Sequence, residues 1–290
     1  MPITGELKER LIEYQRNEIT ESRIYRRLAR TIEGSENRRI LEKIAEDELG
    51  HYRIWRTYTH CEVEPKKLKV WGYYLISRIF GFTFGIKLME GGEEQAQKKY
   101  GQIPKEVKEA DSIARDENEH ENALIAMLDE ERLRYIGSVV LGLNDALVEL
   151  TGALAGFTLA FQETRLVALT GSITGIAAAL SMGASEYLST KSEESVKGPI
   201  KAAVYTGCAY VVAVVVLILP YLVIDHLYAS LLCSLAAAVS LIALFNYYIS
   251  VAKGVPFRRR FFEMSGISLG VAAVSFLSGY LLRSWLGVDV

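Results

Sequence analysis

The chain has 290 residues, half of them hydrophobic, with a formal net charge of -2 and a mean hydropathy of +0.15. These averages hide a division, because residues 1–135 hold 26 of the 35 acids and 24 of the 33 bases, leaving 9 of each for residues 136–290. The counts exclude a single soluble enzyme, and no segment has the strong basic excess of a nucleic-acid binder. Cys61, Cys208 and Cys233 lie too far apart for a CxxC pair, and their odd number argues against a disulfide framework. The first ten residues are charged and contain no apolar run, so no cleavable signal is expected and the first part stays on the side of synthesis. The expectation is an all-α chain, with a four-helix bundle over residues 1–131 followed by a five-span membrane domain over residues 132–290.

Four helices are predicted in the first part. The inward stripe of the first runs through Leu11, Tyr14, Glu18, Tyr25 and Leu28, and that helix ends near Gly34. Ser35 is placed to cap the second, whose stripe is Ile40, Ile44, Glu48, His51, Trp55 and Tyr58, closed by Pro65. The third runs from about Leu68 to Tyr100, with Leu75, Ile79, Phe82, Ile86, Glu90 and Glu93 on one face. Its apolar stretch Val70–Met89 is expected to be buried against a second protomer or the membrane surface. Gly101 and Pro104 separate it from the fourth, where Glu117, His120, Leu124 and Leu128 align. Between Lys105 and Ile136 there is neither Gly nor Pro, so the fourth helix is expected to continue into the first span.

The informative feature is that acids and histidines sit on the apolar faces. Glu48-x-x-His51 and Glu117-x-x-His120 repeat one motif on the second and fourth helices, while the first and third supply Glu18 and Glu93. Four unpaired buried acids would be prohibitively costly, whereas one Glu from each of two helices plus Glu-x-x-His from the others is the ligand set of a carboxylate di-iron site. Glu21 and Glu90 lie near the stripe as alternates. Over about residues 5–131 the pattern resembles the ferritin-like, rubrerythrin-type di-iron proteins. That resemblance implies metal ligands at Glu18, Glu48, His51, Glu93, Glu117 and His120, with Glu90 as an extra carboxylate and iron, or else manganese, as the metal. The CxxC pairs of the rubredoxin-type relay are absent.

Five apolar stretches follow: Ile136–Phe161, Leu166–Thr190, Ala202–Ile224, Leu227–Ala252 and Met264–Leu282. Each is near the ~20 residues that cross a bilayer. Lys191, Lys197 and Lys201 lie in one connection, and Lys253, Arg258, Arg259 and Arg260 in another on the same side. Basic loops stay inside, which predicts a cytoplasmic N-terminal domain and an outward C-terminus in the cell membrane. Gly152/Gly156, Gly171/Gly175 and Gly266/Gly270 mark close-packing faces, within the protomer or between protomers.

The first two spans contain Asn144, Asp145, Glu149, Met182 and Glu186. Carboxylates at membrane depth are costly and usually functional, and oxygen donors with a thioether suit Fe²⁺ or Mn²⁺; the same carboxylates can carry protons. The strings Val-Leu-Gly-Leu-Asn-Asp-Ala-Leu-Val-Glu-Leu (140–150) and Ser-Met-Gly-Ala-Ser-Glu-Tyr-Leu-Ser (181–189) resemble the first two spans of the vacuolar iron transporter family. The resemblance covers roughly residues 135–290 and implies a homodimer that moves Fe²⁺ or Mn²⁺ out of the cytosol by proton exchange, with Asp145, Met182 and Glu186 at the family's intramembrane positions. The connection after the second span is short here, from about Lys191 to Lys201, where many members carry a long Glu-rich segment. Fusions in this order resemble a membrane-bound ferritin-like transporter subgroup. The leading expectation is therefore a metal exporter whose cytoplasmic domain captures, senses or oxidises the metal. The rivals are a membrane-anchored ferroxidase and a storage protein without transport.

Overall fold

Apolar residues recurring every three or four positions shape the first two helices, which the computed structural model shows as α1, Gly5–Ala29, and α2, Ser35–Thr59. The structure describes residues 5–32, 34–89, 91, 107–126, 131–193 and 198–286, in two units, Met1–Glu130 and Glu131–Val290. All regular structure among the described residues is helical.

In unit one, α1 and α2 form an antiparallel pair, since Ser22 Oγ donates to the Ala45 carbonyl (2.6 Å) and Thr59 Oγ1 to Gln15 Oε1 (2.7 Å). Gly34, at φ +96°, takes the N-cap position of α2 and makes no side-chain capping bond; Ser35 already lies inside the helix, correcting the expected cap. The helix ends at His60, which adopts the left-handed conformation at φ +55° and donates its N–H to Arg56. Lys66, whose N–H is held by Thr20 Oγ1 at 3.0 Å, leads into α3, Lys67–Phe80.

The expected single helix from Leu68 to Tyr100 is not what forms. It breaks at Gly81, at φ +99°, a conformation open to glycine, and a second helical segment, α4, occupies 82–89. The two segments press together where Gly85 meets Ser77, because a Cβ on Gly85 would overlap the Ser77 side chain. After Val107 the chain enters α5, Ala110–Ala126. The expected continuation of that helix into the first span rests on residues 127–130, outside the described residues.

Two apolar clusters organise unit one. One gathers Ile24, Leu28, Leu41, Ile44, Ile86 and Leu124; the other gathers Leu11, Tyr14, Trp55 and Ile113. On each of α1, α2 and α5, the acids and histidines fall between these clusters, so a polar layer is enclosed by two apolar ones.

Unit two consists of α6, Glu131–Phe161; α7, Thr164–Ser192; α8, Pro199–Val223; α9, Leu227–Lys253; and α10, Phe257–Leu286. All five are long and apolar enough to cross a membrane, which makes the chain an integral membrane protein. Helix α6 is central and touches each of the other four. Glycine sets its closest approaches: a Cβ on Gly142 would overlap the Thr206 carbonyl of α8, and one on Gly279 of α10 would overlap the Gly156 carbonyl. The Gly152/Gly156 pair faces Val271 and Ser275, and Gly171/Gly175 faces Leu154 and Val214, so both pairs pack within the protomer. Gly266 and Gly270 face no neighbour within 4 Å among the described residues.

Candidate metal centre

The enclosed polar layer brings Glu18 of α1, Glu48 and His51 of α2 and Glu117 of α5 together, with one ligand atom from each lying within 4.8 Å of all the others. Three of the four are buried. His51 Nδ1 lies 3.6 Å from Glu18 Oε2, 3.5 Å from Glu48 Oε2 and 3.4 Å from Glu117 Oε1. His120 Nδ1 lies 3.2 Å from the other oxygen of Glu48. Glu48 therefore sits between two imidazoles whose ring centres are 6.0 Å apart, one carboxylate oxygen toward each. Trp55 Nε1 donates to Glu18 Oε1 at 3.0 Å and fixes that carboxylate.

The far nitrogens are held by a crossed pair of aspartates. His51 Nε2 is 3.2 Å from Asp116 Oδ2, and His120 Nε2 is 3.1 Å from Asp47 Oδ2. Each Asp immediately precedes the glutamate of one motif and holds the histidine of the other. An imidazole that donates through Nε2 keeps Nδ1 available as a ligand and fixed in direction. The sequence carries this signal as a doubled Asp-Glu-x-x-His, at 47–51 and 116–120, in which each Asp falls one position off the inward stripe of Glu and His.

Charge and hydrogen bonding both suit the site to a cation. Glu18 Oε2, Glu48 Oε2, His51 Nδ1 and His120 Nδ1 are buried without a hydrogen-bond partner, although they converge. Leaving such groups unsatisfied costs about 1–3 kcal/mol each, and a bound cation would satisfy all four. Burial, followed by the charges of Glu117 and Glu18, pushes the Glu48 carboxyl well above its ordinary value. Burial acts to lower the His51 pKa, but the surrounding carboxylates of Glu117, Glu18 and Glu48 outweigh it and raise it above the ordinary value. Burial also opposes ionisation of Glu18, but His51, Glu48 and Trp55 offset it, and that carboxyl lies below its usual range. The oxygen and imidazole donors fit a first-row divalent metal ion.

Of the other residues expected here, Glu90 and Glu93 lie outside the described residues. Glu21, one turn beyond Glu18, is half-buried and does not join the group.

In unit two, Asn144, Asp145 and Glu149 lie on α6 and Met182 and Glu186 on α7. Ser138 Oγ of α6 donates to Glu186 Oε1 at 2.6 Å, and the buried Tyr210 of α8 donates its hydroxyl to Glu149 Oε2 at 3.2 Å. Met182 packs on the core of the unit. Asn144, Asp145 and Glu186 are half-buried and Glu149 is exposed, so these groups open onto the surface of the single chain. Among the described residues they do not gather into a group of three like that of unit one. Tyr210 and Ser138 were not anticipated, because a lone hydroxyl within an apolar span has no distinguishing spacing.

A family model described as the VIT family matches residues 136–198, which contain span α6, helix α7 and Asn144, Asp145, Glu149, Met182 and Glu186. It supports the likeness to the vacuolar iron transporter membrane domain read from residues 140–150 and 181–189. No curated protein and no solved structure matches the chain. The match and the five apolar helices together fit a membrane metal transporter.

Proposed function

We propose that the chain is a homodimeric exporter that carries Fe²⁺ or Mn²⁺ out of the cytosol in exchange for protons, with unit one as a cytoplasmic, ferritin-like di-metal domain that captures the same ion. The observation that carries the transport reading is the opening of Asp145 and Glu149 onto the surface of α6 within a membrane span. A carboxylate facing lipid at that depth costs ~2.5–3.5 kcal/mol, and an anchor has no use for it. A second copy covering that surface gives these carboxylates a shared interior, which supports the dimer. Asp145, Glu149 and Glu186 then exchange water for metal ligation and hold protons on the return, while Met182 supplies a soft donor that disfavours Mg²⁺ and Ca²⁺. Tyr210 and Ser138 hold the Glu149 and Glu186 carboxylates in fixed orientations. The lysines and arginines of the 193–198 and 254–256 connections and their flanks support an inward placement of unit one in the cell membrane.

In unit one, Glu18, Glu48, His51, Glu117 and His120 would hold the metal, and Glu93 and Glu90 are assigned to the same set. A bound iron pair would supply one-electron redox chemistry there. Trp55 holds Glu18, and Asp47 and Asp116, beside the Nε2 atoms of His120 and His51, would favour the tautomer that leaves Nδ1 free to ligate.

Two measurements test this. Purified chain in proteoliposomes is expected to drive Fe²⁺ or Mn²⁺ uptake coupled to a pH change on the opposite side; metal binding with no flux leaves a tethered ferroxidase or store and rejects the exporter. In detergent, metal titration is expected to show two ions bound per unit-one site, with His51→Ala and His120→Ala each removing one. Asp47→Ala and Asp116→Ala are expected to weaken binding by ~10–100-fold without changing the number. Unaltered stoichiometry and affinity in both histidine variants would sink the di-metal assignment.

A further inference from the structure

Helix α1 carries Arg23, Arg26 and Arg27 on one face beyond Glu18, and Arg30 follows directly after its end. With Lys67 and Trp71 of α3 they line a groove of about 580 Å³, and no carboxylate is among the groove's described lining residues. The Arg27 guanidinium lies 3.7 Å from the Trp71 ring centre and 4.5 Å from that of Tyr74, so aromatic faces hold it in place. Arg26 and Lys67 reach the exposed carboxylates of Glu46 and Glu64 at 3.9 and 3.0 Å, both outside the groove. Beside the arginines, Leu68, Trp71 and Leu75 stand 90%, 58% and 57% exposed along one face of α3. Lys69 and Arg78 are exposed on the same helix.

We infer that this face of unit one binds the surface of an anionic phospholipid bilayer. Headgroup phosphates enter the arginine groove, and Leu68, Trp71 and Leu75 insert at the boundary between headgroups and acyl chains. Helices with apolar residues on one face and Lys or Arg alongside bind membranes in this way, combining buried apolar area with attraction to anionic lipid. Charge complementarity selects this occupant. A second copy meeting the face in a two-fold contact would set five cations against five cations. A small free anion would satisfy the arginines but leave Leu68 and Leu75 in water. The five spans of the same chain keep a bilayer close at hand, so docking needs no encounter from solution. The inference stands apart from the identity of the transported metal.

The test uses the full chain in nanodiscs, with Trp285→Phe removing the tryptophan of the last span and buried Trp55 as internal reference. Brominated phosphatidylglycerol is expected to quench Trp71 emission, and brominated phosphatidylcholine alone to quench it far less. Arg23→Gln with Arg30→Gln, both exposed positions, is expected to shift the docked-to-undocked ratio about tenfold toward undocked at unchanged helicity. Trp71→Phe confirms the source of the signal. Emission unaffected by brominated anionic lipid overturns the inference. So does equal quenching in both lipids, which shows insertion without charge recognition. Shielding of Trp71 from aqueous acrylamide without lipid quenching overturns it in favour of a second copy.

Discussion

Replacing Asp145 or Met182 by alanine is expected to cut metal flux into proteoliposomes steeply, while metal binding measured on unit one of the same variants is expected to be unchanged. Asp145 lies nine residues into the Ile136–Phe161 span, roughly 14 Å along the helix and so close to the middle of a ~30 Å hydrocarbon layer. Removing a group that merely orients a ligand costs ~10–100-fold in affinity, so removing the ligand itself is expected to reduce flux by about a hundredfold or more. Met182→Ala separates selectivity from passage. If the thioether acts as a soft donor, the residual flux shifts toward harder ions, which competition by Mg²⁺ would reveal. Wild-type transport in both variants removes the assignment of Asp145 and Met182 to the pathway. Loss of binding by unit one in the same variants would point instead to general misfolding.

The second large effect is expected at the crossing of α6 and α10. A Cβ at position 279 has no space, because the obstacle is the backbone carbonyl of Gly156 and not the end of a flexible side chain. Gly279→Ala must separate the two helices, and Gly142→Ala must do the same to α6 and α8 at the Thr206 carbonyl. Overpacking typically costs ~1–3 kcal/mol, and a backbone obstacle places these variants at or above the upper end. Gly270→Ala provides the contrast: it meets no atom within 4 Å among the described residues, and alanine in a helix interior gains up to ~1 kcal/mol over glycine. Thermal unfolding in detergent is expected to fall sharply for Gly279→Ala and to hold or rise for Gly270→Ala. Equal behaviour of the two would contradict the crossing.

That contrast shows where sequence reading reaches its limit. By spacing alone, Gly152/Gly156 and Gly266/Gly270 are the same motif, and only the packed partner distinguishes them. Gly279 and Gly142, which make the tightest approaches to a neighbouring helix backbone, stand outside all three recognised pairs. The break at Gly81 was hidden for a related reason. The segment contains Gly72, Gly81 and Gly85, and the positive φ is taken by the one at which α4 turns back on Ser77. Residues of the metal layer were easier to find, because Glu18, Glu48, His51 and Glu117 interrupt apolar stripes at helical spacing. Asp47 and Asp116 were not, since a residue directly before a stripe position points away from its own helix face, and only the approach of α2 to α5 gives it a partner.

The crossed aspartates also impose an order on assembly. His51 finds its Asp 65 residues later in the chain, and His120 finds its own 73 residues earlier. The α1–α2 pair can form from local contacts, whereas closing the polar layer must await α5 and its slower long-range docking. At about 5–20 residues per second of synthesis, Glu18, Glu48 and His51 exist for roughly 3–13 s before Glu117 is made. During that interval the nascent chain holds a half-site with no second imidazole. Any stabilisation that a bound metal would add to folding would therefore arrive only with α5, as a seal on a finished domain.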